Sequence, residues 1–213
     1  MLKFYYHPIS INARRVWVAL LEKQIAFEPI LIDLSGEQFS EEFSAINPLQ
    51  RVPVIDDEGF RVIESLAILD YLEAKHPTPA LMPTEPEAIV IVRMVEMITV
   101  GELQSAMFPL TRPAVGLEVE AHKLEAAQQR VTTILDFFET LLGNKPYFAG
   151  SEFTRAEVVT GTMVSSLPLE GHPRLKEWAT RLADRESWQQ TEAQPEDIEA
   201  ALPLIKDILK RRS

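Results

Sequence analysis

Residues 50–72 read QRVPVIDDEGFRVIESLAILDYL. Two short runs rich in β-branched and apolar residues flank an Asp-Glu-Gly corner, which predicts two antiparallel strands joined by a tight turn. The second strand passes straight into a helix. Ser65 is a capping-type residue at its start, and Ser65, Ile68, Leu69 and Leu72 recur on one helical face.

Toward the N-terminus, Leu2, Phe4 and Tyr6 alternate as a half-buried strand does, and Pro8 ends the ladder. From Ala13 onward, Val16, Trp17, Leu20 and Leu21 complete the stripe of an amphipathic helix. FEPILIDL (27–34) is a second strand, placed at a sheet edge because Pro29 has no ladder donor. EQFSEEFSAINP (37–48) is a short helix ended by Asn47-Pro48. Strand, helix, strand at this spacing implies a parallel pair with a right-handed crossover. The expected unit is a mixed four-stranded sheet with helices on both faces.

On the other side, HPTPALMPTEP (76–86) is a stiff Pro-rich linker. Beyond it only helical periodicity is seen. Ile91, Met94, Val95 and Ile98 form one expected stripe; Leu124, Val131, Leu135, Phe138 and Leu142 form another. The expected organisation is an α/β domain over 1–76, a linker over 77–86 and an all-α domain over 87–213.

The chain has 213 residues, 46% hydrophobic and 25% charged, enough for an ordinary core without staples. No cysteine is present, which excludes disulfides, thiolate-bound metal and chemistry at a protein thiol. A net charge of −11 has the wrong sign for nucleic acid or an anionic membrane surface. The basic tail KDILKRRS (206–213) reads as a solvated helix C-terminus, where cations suit the dipole. No apolar run reaches membrane-spanning length, and MLKFYYHP lacks the apolar core of a signal peptide, so a cytoplasmic protein is expected. His7, His76, His122 and His172 show no metal-ligand spacing and are expected in loops or at the surface.

HPISINARRV (7–16) places Ser10 immediately before the first helix, as either a cap or a chemical hydroxyl. A Ser nucleophile of hydrolase type is disfavoured, because no nucleophile-elbow motif surrounds it. Three stretches decide the wider reading. QRVPVIDDEGFRVIESLAILDYL resembles the glutathione-binding signature of the cytosolic glutathione transferase family. NKPYFAGSEFTRAEV (144–158) resembles the capped central helix of its helical domain, with Thr154 and Glu157 forming a capping box. HPRLKEWATRLADRESWQQT (172–191) is similar to the closing helical pattern.

The resemblance covers essentially the whole chain and implies a thioredoxin-like N-terminal domain with an all-α C-terminal domain. It implies a cis bond before Pro53, with the backbone of Val52 pairing to the cysteinyl part of glutathione as an added strand would. It also implies that the Ser65 hydroxyl and the helix start hold the γ-glutamyl carboxylate, while Glu64 meets its ammonium. Arg51 stands where relatives often carry Gln or Lys, and its charge suits the glycyl carboxylate. Gln38 stands where the family often has histidine, and Phe39 where plant relatives have lysine. Within the family, HPIS with RRV is most similar to the serine classes, phi above all. Ser10 is there the donor to the glutathione sulfur and Arg14 adds positive potential. Tyr6 remains an alternative donor, although its alternation suits a core role.

The implied activity is conjugation of the glutathione thiolate to small apolar electrophiles, in detoxification and stress response, with peroxidase activity as a side reaction. Met107 and Phe108 are candidates for the electrophile site or, equally, for core between domains. Glutathione is a co-substrate, no metal is expected, and a homodimer is implied. A non-catalytic carrier and a glutathione-dependent isomerase are the alternatives. The Ser- and Cys-rich first loop expected of the isomerase is absent.

Overall fold

A computed structural model describes residues 1–165 and 167–211; Arg212 and Ser213 of the basic tail lie outside the described residues. The chain forms two compact units. Met1–Leu81 together with Glu186–Asp197 make the first; Met82–Arg185 with the remainder of the C-terminus make the second.

In the first unit the elements run β1 (Leu2–Tyr6), α1 (Ile11–Glu22), β2 (Phe27–Leu31), α2 (Glu41–Ile46), β3 (Val54–Asp57), β4 (Phe60–Ile63) and α3 (Ser65–Lys75). The sheet order is β2-β1-β3-β4. β1 and β2 are parallel, whereas β3 runs antiparallel to both β1 and β4. β2 is an edge strand, as Pro29 requires. The β3–β4 corner turns through Glu58 at φ 56° and Gly59 at φ 94°, a left-handed pair suited to a two-residue hairpin.

Alternation along β1 covers both faces. Phe4 stacks on Tyr6 at 5.2 Å between ring centroids, and Tyr6 meets Trp17 of α1 edge-on at 4.9 Å. Tyr5 points the other way, toward Phe43 of α2. Helices therefore cover both faces, and Tyr6 belongs to the packed α1 side. The segment 37–48 is not one helix: a 3₁₀ turn at Glu37–Phe39 precedes α2, because Ser40 caps α2 by accepting from the Phe43 amide at 3.0 Å.

The second unit is helical: α4 (Pro86–Met97), α5 (Gln104–Thr111), α6 (Ala121–Leu142), α7 (Arg155–Val164) and α8 (Pro173–Ala183). A π-helical segment, Ile98–Leu103, joins α4 to α5 without a break. α9 (Glu186–Gln190) belongs to the first unit, and α10 (Pro195–Arg211) follows it. The Thr154–Glu157 capping box starts α7. The face of α6 is as expected, with Val131, Leu135, Phe138 and Leu142 buried. That of α4 is not. Val92, Val95 and Glu96 are buried while Met94 lies out at 36% exposure. The reason is polar: Glu96 is paired inside the unit with Arg155 of α7 at 2.8 Å, and periodicity of apolar residues carries no trace of such a pair. His172 lies in a loop, as the N-cap of α8. It is buried, with Nε2 2.9 Å from Asp136 Oδ1.

Candidate active site

The registers of the sheet gather the candidate residues at one end of the first unit. Tyr6, the last residue of β1, pairs with Leu31, the last of β2. Tyr5 pairs with Val54, the first residue of β3, and Val54 pairs with Ile63, the last of β4. Hence the β1–α1 loop with Ser10, the segment with Gln38, the Arg51–Pro53 run and the Glu64–Ser65 junction all leave the sheet at the same edge. This is the carboxyl end of the parallel pair, where open α/β sheets take ligands.

Ser10 is the N-cap of α1. Its Oγ accepts from the Ala13 amide at 3.2 Å, and its own amide donates to the His7 carbonyl at 3.0 Å. The cap uses an oxygen lone pair, so the hydroxyl proton is left over, and no acceptor for it is found among the described residues. Arg14 does not point the same way. Its Nε donates to Thr191 Oγ1 and its Nη2 to the Trp188 carbonyl, both at 3.3 Å, which ties α1 to α9. Burial lowers its pKa, with Glu192 opposing; a guanidinium remains charged regardless.

The bond between Val52 and Pro53 is cis, as the family resemblance implies. Val52 is buried, yet neither its amide nor its carbonyl has a partner among the described residues. The loop ahead of it is shaped by Asn47, which sequence reasoning took only as a helix stop. The buried Asn47 donates from Nδ2 to the Arg51 carbonyl at 2.7 Å and accepts from the Leu49 amide at 2.9 Å. Gln50 between them sits at φ 55° and donates to Ser44 Oγ at 3.0 Å. The one hint in the sequence was the residue type itself: Asn before Pro is a turn-former whose side chain bonds nearby backbone. The Arg51 side chain is exposed and unpaired among the described residues.

Glu64 corrects a further expectation. It, not Ser65, occupies the N-cap position of α3, and it makes no side-chain capping bond. Its backbone is held at φ 68°, ψ 119°, a region that costs a non-glycine residue on the order of 1–3 kcal/mol. Ser65 is the first helical residue, 7% exposed, with its hydroxyl unpartnered among the described residues. Gln38 is buried. Its Nε2 donates to the Leu34 carbonyl at 2.7 Å, and its Oε1 has no partner. Met107 and Phe108 lie on α5 in the second unit, both half-buried; no residue of that helix is fully buried.

At this end of the sheet lie two free backbone groups at Val52, a helix start without a side-chain cap, and a cap serine with a spare proton, groups that can extend a strand and accept an anion. Residues 4–80 match the model of the glutathione S-transferase N-terminal domain, and residues 98–186 match that of the C-terminal domain. The chain is 34% identical over 158 residues to maleylacetoacetate isomerase of Rattus norvegicus, covering 71% of each chain. It is 30% identical over 207 residues to glutathione S-transferase 3 of Zea mays, covering 90% of this chain and 93% of that one. A solved glutathione S-transferase from Rhodospirillum rubrum superposes with a TM-score of 0.79 at 27% identity, over 92% of this chain and 94% of that one. With both of its domain models matched in order, the chain belongs to the glutathione S-transferase family.

Proposed function

We propose that the protein is a glutathione transferase of serine type, in which the Ser10 hydroxyl donates to the sulfur of bound glutathione. The observation that carries this reading is that Ser10 Oγ acts only as an acceptor in the helix cap, so its proton can be given to a ligand without loss of the cap. Glutathione's thiol is mostly protonated at neutral pH, and a donor aimed at the sulfur favours the thiolate. The thiolate attacks an electrophilic carbon, forming a carbon–sulfur bond, and the displaced group leaves.

Val52 pairs with the cysteinyl backbone of the tripeptide, using the two groups that lack partners. Ser65 and the start of α3 take the γ-glutamyl carboxylate, and Glu64 takes the ammonium. Arg51, rather than Gln38, meets the glycyl carboxylate. Gln38 has one Nε2 donor committed to the Leu34 carbonyl and an Oε1 without a partner, so it is the lesser candidate beside the charged Arg51. Arg14 acts at one remove, holding α1 against α9. Under this reading residues 1–76 are the glutathione domain and the helical region takes the apolar electrophile, with Met107 and Phe108 in contact with it. A homodimer is proposed across α4, where Val90, Met94 and Met97 lie exposed at helical spacing. Detoxification in the cytoplasm is the setting that fits these properties.

The test is a Ser10→Ala substitution with the thiolate absorbance of bound glutathione followed against pH. The thiol pKa rises by about one unit or more if Ser10 is the donor; an unchanged titration sinks the reading. A second reading, glutathione-dependent cis–trans isomerisation, is favoured by the 34% identity to maleylacetoacetate isomerase. There the thiolate adds to a conjugated double bond, rotation follows, and elimination returns the thiolate. Conjugation consumes glutathione and isomerisation does not. Assays of glutathione loss with several electrophiles, beside isomerisation of a maleyl substrate at constant glutathione, separate the two. A protein that binds glutathione and does neither is a carrier.

A further inference from the structure

We infer that His7 is a positioning residue for Ser10, acting as the hydrogen-bond acceptor that shapes the His7–Ser10 turn. The inference rests on the reading of Ser10 as the thiol donor. Two bonds carry it. The Ile9 amide donates to His7 Nδ1 at 3.3 Å, and the Ser10 amide donates to the His7 carbonyl at 3.0 Å. The same residue thus fixes the two peptides that immediately precede the Ser10 side chain. The geometry is that of an Asx turn, with an imidazole nitrogen in place of an amide oxygen accepting from the residue two ahead.

An acceptor at Nδ1 exists only in the neutral ring, with the proton on Nε2. Protonation would put two N–H groups face to face and release the Ile9 amide. His7 is half-buried, and burial holds its pKa below the ordinary histidine value of about 6.5. The charged groups that face it, Asp33 after β2 and Asp197 at the start of α10, pull the other way without overcoming burial. The turn is therefore intact at neutral pH and opens as pH falls through this lowered value. The linkage has the same sign. The unfolded chain takes up the proton first, so stability is lost between about pH 6.5 and the folded pKa and is level below it.

The decisive measurement is the pKa of bound glutathione thiol in five proteins: wild type, Ser10→Ala, His7→Ala, His7→Asn and the double variant Ser10→Ala/His7→Ala. A positioning residue acts through the serine. His7→Ala should therefore raise the thiol pKa, with roughly tenfold less thiolate at pH well below it. His7→Asn should restore it, because asparagine supplies the same acceptor and does not titrate. The double variant should be no worse than Ser10→Ala alone. Amide exchange at Ile9 in the free protein gives a readout independent of glutathione: its protection should fade on acidification in wild type and persist in His7→Asn. An unshifted thiol in His7→Ala, additive losses in the double variant, or pH-independent protection at Ile9 each overturns the inference while Ser10→Ala still shows its shift. An unshifted thiol in Ser10→Ala removes the underlying reading instead. Folding of each variant is checked by thermal unfolding and by glutathione affinity. A loss of affinity in His7→Ala as large as its loss of thiolate would assign His7 to general structure and also overturn it.

Discussion

At the scale of single residues, Ser10 has two separable duties. Alanine removes both the cap and the hydroxyl proton, while glycine at an N-cap costs a helix only a few tenths of a kcal/mol against about 1 kcal/mol for alanine. Ser10→Gly should therefore match Ser10→Ala in thiol pKa yet unfold at a higher urea concentration. A Ser10→Ala midpoint equal to that of the wild type would show that the Ala13 bond contributes nothing. Asn47 is a second case. Asn47→Ala strands the Arg51 carbonyl and the Leu49 amide, so a loss of about 1–3 kcal/mol in unfolding free energy is expected. The Michaelis constant for glutathione should rise as well, because Val52 hangs from this loop; a stability loss with an unchanged constant would place the loop outside the site. The places of Ser10 ahead of α1, of Val52 and Pro53 ahead of β3 and of Ser65 at the start of α3 were legible because their motif is local. Asn47 was not, since its bonds run to a backbone whose path the sequence does not display. Nor was the left-handed backbone of Glu64, a residue type that gives no warning of positive φ.

Among elements, the strands themselves followed from apolar patterning, the edge place of β2 from one proline and the parallel and antiparallel pairs from their connections, whereas the order β2-β1-β3-β4 and its register came only with the structure. Apolar patterning depends on where side chains point, which is what a sheet uses to choose its faces. The helices of the second unit were less transparent. The buried face of α4 is set by Glu96, whose carboxylate meets Arg155 at 2.8 Å and Arg93 at 3.0 Å. Both Glu96 and Arg155 have side chains only 1% exposed. Removing Arg155 leaves the buried Glu96 carboxylate with only the part-exposed Arg93 as its partner, so Arg155→Met should cost up to about 3–5 kcal/mol. Replacing both by methionine should cost much less, since no lone charge remains. Denaturant unfolding of the two singles and the double measures this, and a double worse than either single would show that the pair stabilises beyond its own desolvation. The π-helical segment that follows α4 was equally unannounced, for a run of helix-compatible residues does not reveal a shift from i−4 to i−5 bonding.

At the scale of the molecule, the proposed dimer is the property most open to direct test. Met94 and Met97 to lysine should shift the mass measured by light scattering from twice that of the chain to that of the chain, with glutathione-domain stability retained. A variant still dimeric at micromolar concentration would move the interface away from α4. The first unit has a further consequence. It is built from two separated pieces of chain, Met1–Leu81 and Glu186–Asp197, pinned by Arg14 to Trp188 and Thr191 and by a short hydrogen bond between Ser187 and Glu22. Synthesis proceeds from the N-terminus, so the last piece of this unit leaves the ribosome about a hundred residues after the first. At common elongation rates that interval is roughly 5–20 s. Throughout it the side of α1 that receives α9 stands uncovered in the nascent chain, and Arg14 waits for a carbonyl and a hydroxyl that have not yet been made.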